Sequence, residues 1–134
     1  MYLLDTNVIS EFRRTKPHGA VLSWLTNTSD SELFISAVSI GEIQSGIEKT
    51  REQDLVKAKI LEEWLNQIAG LYSVLPMDGN VFRVWAQLMH RQSDTVIEDA
   101  MIAATALTHR LTVVTRNVKD FKRFNVDILN PFKT

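Results

Sequence analysis

The stretch that most constrains the fold is Met1-Tyr2-Leu3-Leu4-Asp5-Thr6-Asn7, a short apolar run that stops at an acid and continues into two helix-capping residue types. Apolar at successive positions, such a run suits a strand buried on both faces, as in a parallel sheet with helices above and below. Ligands of such sheets bind beyond the carboxyl ends of the strands, where Asp5 would stand. Asp, Thr and Asn are also good N-caps, and a helix is expected from Val8. Asp5 therefore has two readings, as a cap or as a catalytic or metal-binding carboxylate, and acids elsewhere must decide between them.

Val8 to Arg14 reads as a short helix broken by Pro17-His18-Gly19. Ala20, Val21, Trp24 and Leu25 recur at helical spacing, giving a helix that ends near Asn27. Leu33-Phe34-Ile35 is a second strand, and Ser36 is placed to cap a helix from Ala37 to about Thr50, striped by Ile40, Ile43 and Ile47. An amphipathic helix follows from Leu55 to Gly70, the glycine serving as its stop. Tyr72–Leu75 is a third strand, Gly79–Arg91 and Val96–Arg110 are helices, and Leu111–Thr115 and Val126–Leu129 are strands. Short strands alternating with helices predict an α/β fold: a small, mostly parallel β-sheet flanked by helices on both faces, in a single domain over 1–134.

No run is long enough to span a bilayer, and Asp5 interrupts the amino terminus, so neither membrane insertion nor a signal peptide is expected and a cytoplasmic location is the default. The absence of cysteine excludes disulfides, zinc–thiolate sites and thiol catalysis. A net charge of −1 argues against a large non-specific nucleic-acid surface but leaves room for a small basic rim. Arg13-Arg14-x-Lys16 and Lys119-x-x-Lys122-Arg123 are the local clusters, each also readable as a solvated face.

Three further places carry acids or oxygen donors. Asp99 shares a helix face with Ile102, Ala103 and Ala106, so it heads a buried stripe, where an acid costs free energy unless a cation or donors meet it. Its neighbour Glu98 fits a capping box with Thr95. Glu42 lies beside the isoleucine stripe; it either caps with Ser39 or leans toward Asp5. Asn117 follows the fourth strand, with Asp120 a turn on; Asn117 either caps the short helix there or delivers an oxygen ligand to the same edge. Three carboxylates about 4 Å apart repel by several kcal/mol per pair at an effective dielectric near 20. Such a cluster needs a proton or a cation, and all-oxygen ligation points to Mg²⁺ or Mn²⁺ and to a metal-activated water attacking a phosphodiester.

In this order the segments resemble the PIN-domain family, and more narrowly the VapC-type toxin ribonucleases of bacterial toxin–antitoxin pairs. The matching motifs are Leu3-Leu4-Asp5-Thr6-Asn7-Val8-Ile9-Ser10-Glu11, Ser36-Ala37-Val38-Ser39-Ile40-Gly41-Glu42-Ile43 and Glu98-Asp99-Ala100-Met101-Ile102-Ala103-Ala104. Thr112 to Phe121 and the ending Asn130-Pro131-Phe132 complete them. The resemblance implies a Mg²⁺- or Mn²⁺-dependent endoribonuclease with Asp5, Glu42 and Asp99 as metal-binding acids. Where many members carry a fourth acid this chain has Asn117, and Asp120 one turn on would supply the charge. Thr6 and Asn7 would orient Asp5 or the metal's waters, and Arg116 would contact phosphate. The resemblance further implies an RNA substrate, a homodimer and a cognate antitoxin, with promoter DNA bound mainly through the antitoxin.

Two rivals stand beside this reading. One is an Asp-nucleophile phosphohydrolase, which needs a second acid where Asn7 stands. The other is an interaction module that has kept the fold and lost catalysis.

Overall fold

A computed structural model describes residues 1–133. Its strands are β1 (Tyr2–Leu4), β2 (Leu33–Ser36), β3 (Ser73–Leu75), β4 (Thr112–Val114) and β5 (Ile128–Leu129). They form one sheet in the order β3-β2-β1-β4-β5, and every pairing is parallel. The α-helices are α1 (Thr6–Ile9), α2 (Gly19–Thr26), α3 (Ala37–Arg51), α4 (Leu55–Leu71), α5 (Gly79–Met89), α6 (Ile97–His109) and α7 (Val118–Lys122).

The alternation of side chains along a strand explains why the first run is apolar throughout. Leu3 and Val113 point to one face, against Ala100, Ala103 and Ala106 of α6 and Phe121 of α7. Leu4, Ile35 and Val114 point to the other, against Val8 and Ile9 of α1, Val21 of α2 and Ile68 of α4. Helices thus cover both faces. The chain builds β2 and β3 on one side of β1 and β4 and β5 on the other, so the strand order reverses beside β1. A crevice for ligands opens at the carboxyl ends of the strands where the order reverses.

Several local expectations are corrected. The first helix starts at Thr6, two residues earlier than expected, because Asp5 Oδ1 accepts the Thr6 N–H at 2.8 Å. It then tightens into a 3₁₀ turn over Ser10–Arg13 and does not run on as α-helix to Arg14. Ser36 caps α3 as expected, its Oγ accepting the Val38 N–H at 3.1 Å, and the alternative start at Ser39 is not used. Gly70 lies inside α4, which continues to Leu71. The Thr95–Glu98 capping box does not form: Asp94–Val96 is a 3₁₀ turn headed by Ser93, and α6 starts at Ile97 with no side-chain cap.

Helix α6 ends at Arg110 in the left-handed conformation (φ 59°, ψ 47°), which costs a residue with a Cβ about 1 kcal/mol or more. Arg110→Gly is therefore expected to raise the urea unfolding free energy by about 0.5–1 kcal/mol, the relief less the glycine's extra chain entropy. A fall in stability would contradict this account of the helix end.

Candidate active site at the carboxyl edge of the sheet

Parallel register sets the first contacts. Leu4 pairs with Val114 and with Ile35, so the next residues, Asp5, Thr115 and Ser36, meet at the sheet edge. The Asp5 N–H continues the ladder by donating to Val114 O at 2.9 Å. The Thr115 hydroxyl donates to Asp5 Oδ2 at 2.7 Å, and both residues are buried. Asn7 closes the triangle: its amide nitrogen lies 3.3 Å from Asp5 Oδ2 and 3.4 Å from Thr115 Oγ1, while its oxygen accepts the Arg116 N–H at 3.2 Å. Asp5 is thus both helix cap and site carboxylate, its rotamer fixed at both oxygens.

Glu42 joins from α3. The Thr6 hydroxyl, with a single proton, lies 3.1 Å from Glu42 Oε1 and 3.0 Å from the buried Ser39 Oγ. Burial is the largest influence on Glu42 and raises its pKa; with Glu98 and Asp5 close by, and despite the bond from Thr6, it is pushed up to about 7. Burial also leads for Asp99, where Asp5, Asp120 and Glu98 add repulsion and Arg123 offsets part of it, leaving a pKa of about 6. Asp5 is likewise raised, by burial first, against the bonds from Thr115 and Thr6, with Asp120 adding repulsion.

The structure therefore gathers Asp5, Glu42, Asp99 and Asp120 at one edge. Asn117 heads α7; its side chain makes no capping bond, and its N–H donates to Thr115 Oγ1 at 2.9 Å. Asp120, in the first turn of α7, is the residue whose charge reaches Asp5 and Asp99. The Arg116 guanidinium lies over the Phe132 ring, 3.8 Å from its centroid. Sequence reading passed over Thr115, Ser39 and Glu98. Thr115 was legible as the end of the strand expected to pair with β1; Glu98 and Ser39 were each hidden by a plausible capping pattern.

The donors here are all oxygens, and their anionic forms are disfavoured by burial and by one another, which suits a hard divalent cation. As the side chains stand, no group of three acids or histidines among the described residues converges closely enough to hold an ion. Glu42, Asp99 and Asp120 are only partly buried. Thr6 and Glu42 also line a cleft of about 220 Å³ with Arg13 and Trp64. A larger cavity of about 520 Å³, between α2 and the C-terminal segment, contains none of these acids.

Comparison with known proteins agrees with this fold. The PIN domain family model matches residues 2–126. The chain is similar to the VapC ribonuclease Y4jK of Sinorhizobium fredii, 35% identical over 99% of each chain. It is also similar to the toxin FitB of Neisseria gonorrhoeae, 34% identical over 98% of this chain and 99% of that one. A solved structure of FitAB bound to the IR36 DNA fragment superposes with a TM-score of 0.87 at 33% identity, covering 100% of this chain and 97% of that one. Among the described residues, no helix is long and apolar enough to cross a membrane.

The raised carboxylates have a measurable cost. Folded Asp99 and Glu42 hold protons more tightly than their ordinary values of 3.8 and 4.5 allow. Their contribution to stability is full below those values and is lost as pH rises through about 6 for Asp99 and about 7 for Glu42. In excess chelator, Asp99→Asn should therefore melt higher than the wild type at pH 8, with the gap closing toward pH 4. Discounted for the side chain's partial exposure, the gain is on the order of 1 kcal/mol, roughly 3–5 °C. Equal melting curves across that range would contradict the crowding of Asp99.

Proposed function

The chain belongs to the PIN domain family, and from that premise we propose that it is a metal-dependent endoribonuclease acting as the toxin of a toxin–antitoxin pair. The observation that carries this is the set of mutually repelling carboxylates, Asp5, Glu42, Asp99 and Asp120, at the reversal point of the sheet. Similarity to a VapC ribonuclease and to the toxin FitB over nearly the whole chain supports the same activity.

Asp5, Glu42 and Asp99 would hold Mg²⁺ or Mn²⁺, with Asp120 in the fourth acidic place. Bound there, the ion would supply an activated water and neutralise charge developing on the phosphodiester. The protein's own part is positional. Thr115, Asn7 and the Thr6 N–H fix Asp5, and Thr6 steadies Glu42. Asn117 supports Thr115 through its backbone and is not itself a ligand in this reading. Asn7 spends its amide on Asp5 and Thr115, so it cannot replace the second acid of an Asp-nucleophile phosphohydrolase. A lapsed interaction module would have little use for Glu42 and Asp99, crowded acids whose pKa values are raised by burial and by neighbouring carboxylates.

The family setting supports the rest of the reading: a homodimer in the cytoplasm, one domain over the chain, held inactive by a cognate antitoxin that contributes most of the contact with promoter DNA. The structure of FitAB on a DNA fragment is the nearest support for that last point.

The test is cleavage of a mixed RNA pool with Mg²⁺ or Mn²⁺. Asp5→Asn and Asp99→Asn should each lower the rate by about a thousandfold, equivalent to about 4 kcal/mol in the barrier, while circular dichroism stays unchanged. Full activity in both variants would end the assignment. The fourth place is tested separately: Asp120→Asn should cost on the order of 100-fold and Asn117→Ala less than about threefold. The reverse ranking would return the place to Asn117.

A further inference from the structure

Phe132 belongs to a motif that the proposed chemistry leaves unexplained. It lies in the C-terminal segment, which is firmly seated: Pro131 is buried, the Phe132 N–H donates to Asn130 Oδ1 at 3.0 Å, and the ring packs against the Leu4–Val8 side of the core. The His18 ring meets it edge-on, with centroids 5.2 Å apart. The Arg116 guanidinium sits on this ring at 3.8 Å.

Arg116 is tied to the site through its backbone. It follows Thr115, whose hydroxyl is 2.7 Å from Asp5 Oδ2, and its N–H is held by Asn7 Oδ1. Its side chain nevertheless has no hydrogen-bonded acceptor and no ion pair among the described residues. The nearby carboxylate of Glu11 feels its charge, but the two oxygens of Glu11 are engaged by the His18 N–H (2.9 Å) and by Arg14 (3.0 Å). An exposed guanidinium held on an aromatic face, with its donors unspent, is a fork ready for a phosphate. Stacking holds the planar group in place, so less side-chain freedom is lost when an anion binds.

We infer that Phe132 is a positioning residue for RNA: it holds Arg116 flat at the rim of the acidic site, where the guanidinium takes a backbone phosphate adjoining the scissile one. The inference rests on the ribonuclease reading. It adds that the C-terminal aromatic acts on substrate binding through Arg116, with no part in the bond-breaking step.

The experiment uses the full chain. Binding of a short fluorescein-labelled single-stranded RNA is followed by anisotropy in an Asp99→Asn background, and steady-state cleavage is followed in the otherwise wild-type protein. Phe132→Leu and Arg116→Lys should each weaken RNA binding and raise KM by about three- to tenfold, with kcat within about twofold, because both remove the stacked guanidinium. Phe132→Trp should stay near wild type, and the double variant should be no worse than either single one, because the two act through one contact. Arg116→Ala should lower the slope of log affinity against log salt by about one. Arg116→Lys leaves the core untouched, so it keeps the test sound should Phe132→Leu unfold.

Unchanged binding in Phe132→Leu and Arg116→Lys would overturn the inference, as would a loss of kcat with KM unchanged, which would mark a structural effect felt at Asp5. RNA binding that responds as expected in a protein that never cleaves would refute the ribonuclease reading alone. Cleavage that is indifferent to both variants would refute this inference alone, and a protein that neither binds nor cleaves RNA would refute both.

Discussion

The hydrogen bond from Thr115 to Asp5, 2.7 Å long and buried, joins the two strands between which the sheet's order reverses. Everything at the site is referred to it. It fixes the Asp5 carboxylate, whose other oxygen opens α1 by capping Thr6. It fixes the Thr115 hydroxyl as acceptor for the Asn117 N–H, which sets the path into α7 and so the position of Asp120. Asn7 spans both partners and reaches Arg116, so the loops after β1 and β4 are locked as one piece. A parallel sheet presents loops at this edge in any case; the bond makes two of them a rigid platform.

On that platform the charges are poorly compensated. Asp5 is buried with donors at both oxygens and is still raised, because desolvation outweighs the bonds. Glu42 and Asp99 are raised too, to about 7 and about 6, by burial first and also by neighbouring carboxylates. Arg123 eases Asp99, while the Arg116 guanidinium lies over Phe132. A chain selected for stability alone would replace one of these acids by an amide. Keeping them argues for an ion that repays their repulsion when it arrives.

Much of this was legible in the sequence, for reasons that differ by residue. The doubly covered sheet followed from Leu3 and Leu4, since no strand with one wet face carries apolar side chains on both sides. The meeting of Asp5, Glu42 and Asp99 at one edge followed from each standing just beyond a strand or heading a buried helix face. Capping patterns were read correctly at one place and misled at another. Ser36, directly after β2, was read as the cap of α3 and is. Thr95 and Glu98 fit a box that the 3₁₀ turn at Asp94–Val96 prevents, which leaves Glu98 facing Glu42. The placing of Arg116 on Phe132 joins residues far apart in the chain, and no local pattern announces it.

The central claim is that these carboxylates are built to share a divalent cation. Calorimetric titration of Mn²⁺ into the wild-type protein, in buffers of different ionisation enthalpy, tests it most directly. With Glu42 near 7 and Asp99 near 6, binding should release about one proton per ion at about pH 6.5 and close to none at about pH 8.5, because only the ionised carboxylates bind. Mn²⁺ heats identical in every buffer at the lower pH, or no binding at either, would contradict the account.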